Sequence, residues 1–302
     1  ADDIRPCAAH YDKFVLVINC GSSMDLSALD GIGGINAILY MGQLGTEGGS
    51  ALADILSGAV NPSGRLADTW AYRYEDFPFA MEYGSLNGDL QNENYKEGIF
   101  VGYRYFDSFG ITPRYPFGFG LSYTEFDWDV KDYKVKNGEI TVKVKVKNVG
   151  DVAGKDVVQV YFSAPYYEGG IEKSAIELAA YAKTKLLEPG KSETLEISFD
   201  IADMASYDSE KEEAWVLDKG DYKIRVARDV ETFEETFTYK VKEKIVYKAD
   251  DNSGNEIKNL FEQAEGDLTY LSRNDKDGTY PAPPTNYKAP SEGKTAIKDP
   301  IP

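Results

Sequence analysis

The chain has 302 residues, of which 42% are hydrophobic and 13% aromatic, enough for two domains with buried cores. Its formal net charge of −18 at pH 7 would repel phosphate backbones and anionic lipid surfaces, so we expect neither nucleic acid nor a membrane as a partner. No stretch of the sequence is apolar over the roughly 18 residues that a membrane-spanning helix needs.

The first 75 residues predict a partial open α/β sheet. Residues 13–19 and 35–41 form two continuous apolar runs of the kind that a parallel sheet buries on both faces. Residues 47–57 predict a helix that ends at Gly58, because Ala51, Leu52, Ile55 and Leu56 fall on one helical face. Residues 61–64 read NPSG and predict a turn. Two strands and one helix are too few for a stable layer, so residues 1–75 are expected to be part of a larger domain.

Residues 76–125 predict an ordered, extended connector. This segment has no long period but is rich in aromatic residues and glycine, whereas disordered segments are poor in aromatic residues. Its rings are expected to pack between domains, with stacking on sugar rings as the alternative. Arg104 lies between Tyr103 and Tyr105, and we expect it to pair with a buried carboxylate or carbonyl.

Residues 126–246 predict an all-β sandwich. Ile140, Val142, Val144 and Val146 alternate with polar residues, which indicates one buried face and one solvated face. Similar strands are predicted at residues 156–163, 192–199, 221–227 and 233–241, with another ending near Leu186. About seven short strands joined by turns indicate an immunoglobulin-like or fibronectin III-like sandwich.

Residues 247–302 predict an extended linker. Its APPT and KAPS segments at 282–285 and 288–291 are typical of extended chain, while residues 259–261 and 266–273 supply apolar anchors. Residues 250–256 read DDNSGNE and resemble a calcium loop only loosely. Counting from Asp251 brings Glu262 to the twelfth position but puts Gly254 fourth instead of sixth, so a solvated turn is favoured.

Two blocks of sequence carry a family resemblance. Residues 45–66 read GTEGGSALADILSGAVNPSGRL, and residues 95–106 and 115–126 read YKEGIFVGYRYF and YPFGFGLSYTEF. Together they resemble the non-barrel half of glycoside hydrolase family 3, the β-glucosidase family, and the sandwich resembles the fibronectin type III-like domain that accompanies it. The final segment resembles the link to a downstream barrel in members with reversed domain order.

The resemblance implies a retaining glycosidase, which needs a nucleophilic carboxylate and an acid/base carboxylate. It implies a nucleophilic aspartate on a barrel and an acid/base glutamate upstream of the strand at residues 15–19. Neither segment matches a position of this chain, so no catalytic residue is assigned here. Asp127 beside Trp128 mimics the nucleophile's Asp-Trp pair, but a surface acid next to a packed ring is favoured. Glu47 is expected to act only as a negative charge at a helix N-terminus.

Other chemistry has weak support. The chain's single histidine, His10, makes a Ser-His-Asp triad or a histidine-rich metal site improbable, and a surface position is expected for it. Residues 45–50 are glycine-rich but lack the Gly-Lys-Ser/Thr of a phosphate loop. We therefore expect no cofactor and no metal. Cys7 and Cys20 are compatible with one bridge or with two thiols in a reducing cytoplasm, which is slightly favoured.

Three functions are compatible with these features. The first is the non-barrel part of a β-glucoside-hydrolysing enzyme, which would act on a β-glucoside or oligosaccharide with a catalytic barrel as partner and be inactive alone. The second is a stand-alone carbohydrate-binding module, because a fold does not fix a function. The third is a structural subunit that docks onto a separate barrel chain.

Overall fold

The computed structural model describes residues 2–82, 91, 93–250, 253–260 and 268–279. The α/β part contains helix α1 (Ile4–His10), strand β1 (Val15–Ile18), strand β2 (Ala37–Tyr40) and helix α2 (Gly48–Leu56). β1 and β2 pair in parallel, which confirms the two predicted strands, and α2 confirms the predicted helix. The pattern did not reveal α1, because it has only seven residues and includes Pro6.

Burial in the α/β part is lower than the apolar runs predicted. Of the two strands only Ile18 is buried, and the expectation of burial on both faces is wrong for the others. Among the described residues the sheet has only two strands, so one layer of packing, centred on Ala8, Leu26, Leu29 and Trp70, covers it. The apolar face of α2 belongs to no buried cluster of the described residues, and half of Leu56 is exposed.

In the described part of the chain, ten strands follow from Phe126 onward. They are β3 (Phe126–Lys136), β4 (Glu139–Asn148), β5 (Val157–Ser163), β6 (Glu177–Lys183), β7 (Ser192–Asp200), β8 (Ser206–Asp208), β9 (Ala214–Leu217), β10 (Gly220–Ala227), β11 (Phe233–Val241) and β12 (Ile245–Tyr247). The sheets have the orders β3-β4-β7, β11-β10-β5-β6 and β12-β9-β8. An α/β part followed by a β-sandwich confirms the predicted fold class.

The sandwich core lies between the first two of these sheets. Ile140, Val142, Val144 and Val146 on β4 are all fully buried, as their alternation predicted. They pack with inward residues of β7 and β10, including Ile197 and Ile224. Burying an aliphatic side chain of this size contributes about 1.5–3 kcal/mol, so this cluster is the main source of stability in the sandwich.

Strand β5 is buried on both faces. Val158, Val160 and Phe162 face the sandwich core, whereas Tyr161 belongs to a second cluster that Tyr103 and Phe117 of the connector cover. The connector therefore acts as a further layer on the outer face of β5.

The connector contains a helix instead of only extended chain. α3 (Tyr103–Phe109) is followed by Gly110, whose φ of 71° gives the left-handed cap that ends it. Tyr105, Phe106 and Phe109 are buried in a cluster with Phe100 that lies mainly within the connector itself, so these rings are packed but not between domains; Tyr103 and Phe117 are the rings that pack against the sandwich. The prediction missed α3 because aromatic residues favour helices weakly and seven residues show barely two turns.

Some predictions concern residues outside the described ranges. The turn at 250–256 includes Asp251 and Asn252, and its twelfth position would be Phe261 or Glu262; these four residues lie outside the described residues, as do the proline segments of residues 280–302. The domain boundaries at residues 75, 125 and 246 stay predictions. A final short helix, α4 (Lys276–Thr279), belongs to the described part. Among the described residues, none of the helices has the length and hydrophobicity that a membrane span requires.

Candidate functional site

The first sequence block is tied to the second by Asn61. Its side-chain oxygen accepts hydrogen bonds from the Ser122 hydroxyl at 3.0 Å and the Tyr123 amide at 2.9 Å. Its amide nitrogen donates to the Ala153 carbonyl at 3.2 Å, in the sandwich. The predicted turn at 61–64 is wrong: the turn lies earlier, at residues 57–58, and the Asn61 side chain bonds to distant segments instead of closing a local turn.

Arg65, the next charged residue of that block, reaches the sandwich through a buried carboxylate. Its Nη2 lies 2.6 Å from Oδ1 of Asp156, which is 3% exposed. The other oxygen of Asp156 accepts a 2.7 Å hydrogen bond from the indole of Trp128. Nη1 of Arg228, just after β10, lies 3.8 Å from that same oxygen, so one carboxylate joins Arg65 of the α/β part to Trp128 and Arg228 of the sandwich.

The second block covers the outer face of β5. Tyr103 packs against Phe117 with ring centroids 4.7 Å apart and meets Tyr161 edge-on at 6.2 Å. Its hydroxyl accepts a 3.0 Å hydrogen bond from the amide of Leu178 on β6. Burial raises the pKa of Tyr103, which keeps this hydroxyl neutral.

Arg104 pairs with a carboxylate, as predicted. Its Nη2 lies 3.4 Å from Oε2 of Glu177 on β6. The carboxylate is half-buried instead of fully buried, and Nε of Arg104 is buried with no hydrogen-bond partner in the described residues. The pair lies on the connector–sandwich contact, so Arg104 contributes to positioning the connector.

A cleft of about 420 Å³ lies between the α/β part and the connector. It combines one exposed carboxylate, one partly buried carboxylate, two hydroxyls and an aromatic wall, a composition suited to a small polar ligand. The carboxylates belong to Asp68 and Glu97, the hydroxyls to Ser23 and Thr69, and the wall to Phe77, Phe100, Tyr103 and Phe117. Thr69 is 4% exposed, and its hydroxyl has no hydrogen-bond partner in the described part. The two carboxylates and the Ser23 hydroxyl can form hydrogen bonds with hydroxyl groups of a ligand.

A smaller cleft adjoins the first and contains Asp25. The two clefts share Ser23 and Phe77. Burial acts to raise the pKa of Asp25, but hydrogen bonds from Ser27 and the Tyr74 amide, with the charge of Arg73, lower it overall. Asp25 is therefore an ionised acceptor and a poor proton donor.

Sequence reasoning missed both clefts. One signal was present, because Ser23 and Asp25 follow β1 and ligands bind beyond the carboxyl ends of parallel strands. Thr69 and Glu97 come from distant segments, and no local pattern marks either as a cleft residue.

The residues weighed as catalytic candidates take their expected structural positions. Asp127 is exposed on β3 opposite Lys147, and Trp128 packs against the sandwich core. Glu47 is exposed at the N-terminus of α2 and makes no side-chain cap. His10 is exposed at the end of α1.

The described residues contain neither a metal-binding cluster nor a disulfide. No group of three or more His, Cys, Asp or Glu side chains in the described ranges is placed to hold a metal ion. Cys7 and Cys20 are not bridged to each other in this structure.

Two family models match separate parts of the chain. Residues 2–123 match the glycosyl hydrolase family 3 C-terminal domain, and residues 156–230 match a fibronectin type III-like domain. The block at residues 45–66 lies within the first match, and the block at residues 95–126 ends three residues beyond it.

Similar proteins and structures are β-glucosidases. One from Ruminococcus albus is 38% identical over 241 residues, covering 78% of this chain and 25% of the relative. Beta-glucosidase A of Butyrivibrio fibrisolvens is 38% identical over 267 residues, covering 80% of this chain and 31% of the relative. The crystal structure of a β-glucosidase from Paenibacillus barengoltzii matches with a TM-score of 0.75 and 36% identity, covering 81% of this chain and 28% of that one. The chain thus spans a quarter to a third of the lengths of these relatives.

Proposed function

Because the chain belongs to glycosyl hydrolase family 3, we propose that it supplies the non-barrel part of an enzyme that hydrolyses β-glucosides. The similarity to β-glucosidases over 78% of the chain carries the proposal. A catalytic barrel is the partner that this part would serve, and a β-glucoside or oligosaccharide is the substrate class.

The proposed reaction proceeds with retention through a covalent glycosyl-enzyme. It needs one carboxylate to attack the anomeric carbon and a second, protonated one to donate to the leaving oxygen. In this proposal both belong to segments outside the 302 residues. The roles of this chain's own residues are structural: Asn61, Arg65 and Tyr103 hold the α/β part, the connector and the sandwich in one arrangement.

A graft into a relative tests this proposal. The Ruminococcus albus β-glucosidase is produced with its matched quarter replaced by the corresponding residues of this chain. We expect the chimera to hydrolyse a nitrophenyl β-glucoside and to release the β-anomer of glucose first, as seen by proton NMR, because a scaffold role needs no new carboxylate. A folded chimera without turnover would argue against the scaffold role, and initial release of the α-anomer would argue against retention.

A docking subunit is the second candidate. Exposed apolar residues on and beside α2 favour it: Leu44, Leu56 and Val60 are each about half exposed. It differs from the first proposal in requiring a separate barrel chain, so turnover that appears on mixing two chains would support it. Micromolar binding of a soluble β-glucan by this chain alone would instead favour a carbohydrate-binding module.

A further inference from the structure

Residues 268–279, which we call the strap, follow the sandwich in sequence and return to the connector. The strap contacts the connector near Lys96 and Phe109 and contacts the loop between β5 and β6. It therefore joins two elements that lie about 100 residues or more before it in the chain.

The connector end of the strap is anchored by Leu271. This side chain is 2% exposed and packs in the aromatic cluster with Phe100 and Phe106. The Leu271 amide donates a 2.8 Å hydrogen bond to the Lys96 carbonyl. Further along, the Lys276 ammonium donates to the Phe109 carbonyl at 3.2 Å, at the C-terminus of α3, where a positive charge is favourable.

The sandwich end of the strap is anchored by Glu172. Its carboxylate accepts hydrogen bonds from the Ser272 hydroxyl, the Arg273 amide at 3.3 Å and the Asn274 side chain at 3.2 Å. The Tyr166 hydroxyl donates to the same carboxylate at 3.1 Å.

Arg273 completes the sandwich end. Its guanidinium lies 4.0 Å from the centre of the Tyr166 ring and donates a 2.7 Å hydrogen bond to the Lys173 carbonyl. Because Arg273 both stacks on a ring and donates to a backbone carbonyl, it holds the strap against the loop between β5 and β6.

The hydrogen-bonded turn at residues 97–100 lies between the strap and the cleft. The Phe100 amide donates to the Glu97 carbonyl at 3.0 Å, and the cleft lining includes both residues. On the other side of this turn, Tyr270 lies against Gly98 and Leu271 bonds to Lys96.

We propose that the strap is a positioning element that fixes the cleft wall formed by residues 97–102. This proposal concerns the fold of the chain and is independent of the reaction assigned to its relatives.

Hydrogen exchange measured by mass spectrometry on the full chain tests the proposal. Leu271→Ala removes the connector anchor, and Glu172→Gln weakens the sandwich anchor. For Leu271→Ala we expect exchange of the amides at residues 97–102 and 270–274 to accelerate at least tenfold. For Glu172→Gln we expect acceleration in the strap, with a smaller effect at residues 97–102. Exchange in β10 should stay unchanged in both, which shows that the sandwich is intact.

Leu260→Ala is the matched control, because Leu260 lies eleven residues earlier and is 84% exposed. It should leave exchange unaltered at residues 97–102 and in the strap. Unchanged exchange at residues 97–102 in Leu271→Ala would overturn the proposal. So would strap amides in the unmodified chain that exchange as fast as those of an unstructured peptide. If Leu271→Ala also accelerates exchange in β10, the sandwich itself is disturbed and Glu172→Gln becomes the test. Unchanged exchange in the strap of Glu172→Gln would then overturn the proposal.

Discussion

Replacing Asp156 by alanine is expected to destabilise the folded chain by about 3–5 kcal/mol, because it leaves a buried cation and several buried donors without a partner. The Asp156 side chain accepts from Arg65 at 2.6 Å, from the Trp128 indole at 2.7 Å and from its neighbour Val157 at 2.9 Å. The Arg65 side chain is only 14% exposed, so water cannot fully replace the lost carboxylate.

Urea unfolding followed by tryptophan fluorescence measures this effect, and Asp127→Ala is its control. Asp127 lies on β3 next to Trp128 but is exposed, so its loss should change the free energy of unfolding by less than about 0.5 kcal/mol. Adding Arg65→Ala to Asp156→Ala should cost less than the sum of the two single changes, because both remove the same interaction. Equal losses for Asp156 and Asp127, or strict additivity with Arg65, would contradict the proposed link between the α/β part and the sandwich.

Asp107→Asn is expected to stabilise the chain at pH 8 and to have no effect near pH 4. Burial, with the charges of Glu231 and Asp229 adding to it and that of Arg225 opposing it, raises the pKa of Asp107 from 3.8 to about 7. Between these two values the folded state keeps a proton that the unfolded chain has lost. Stability therefore falls as the pH rises through this window, and above about pH 7 the full cost of a buried charge is present.

The expected gain at pH 8 is about 1–2 kcal/mol. A shift of this size corresponds to about 4 kcal/mol for a fully buried group, and screening by solvent at a half-buried one reduces the effect. Melting temperatures of the two proteins, measured from pH 4 to pH 8, should diverge progressively with rising pH. Asp127→Asn, at an exposed position, should follow the unmodified chain throughout. A gain of equal size at pH 4 and pH 8 would show that the asparagine stabilises by packing and not by removing a charge.

The strands that alternate cleanly could be predicted from sequence, and those that do not could not. Val142 and Val144 mark β4 because water contacts one face of that strand and the core contacts the other. β8 and β12 have three residues each, too few for any period to show. The sequence did not predict α3 because its aromatic residues have weak helix propensity. The helix forms because contacts of these residues with neighbouring elements outweigh that weak propensity.

The sites were harder to predict because their contacts join distant parts of the chain. Arg65 and Asp156 lie 91 residues apart in sequence, and neither has a neighbour that identifies its partner. The family resemblance indicated that residues 45–66 and 95–126 matter, but not how they act. The structure shows that Asn61, Arg65 and Tyr103 within these blocks bind other segments of the molecule.

The most direct test of the scaffold role is the rate at which the purified 302-residue chain hydrolyses a nitrophenyl β-glucoside. We predict no release of nitrophenol above the uncatalysed rate, because the proposal places both catalytic carboxylates outside this chain. Asp68→Asn and Glu97→Gln, which alter the two carboxylates of the cleft, are measured alongside it and should give the same null rate. Turnover by the unmodified chain that either substitution abolishes would contradict the account and would make the cleft an active site.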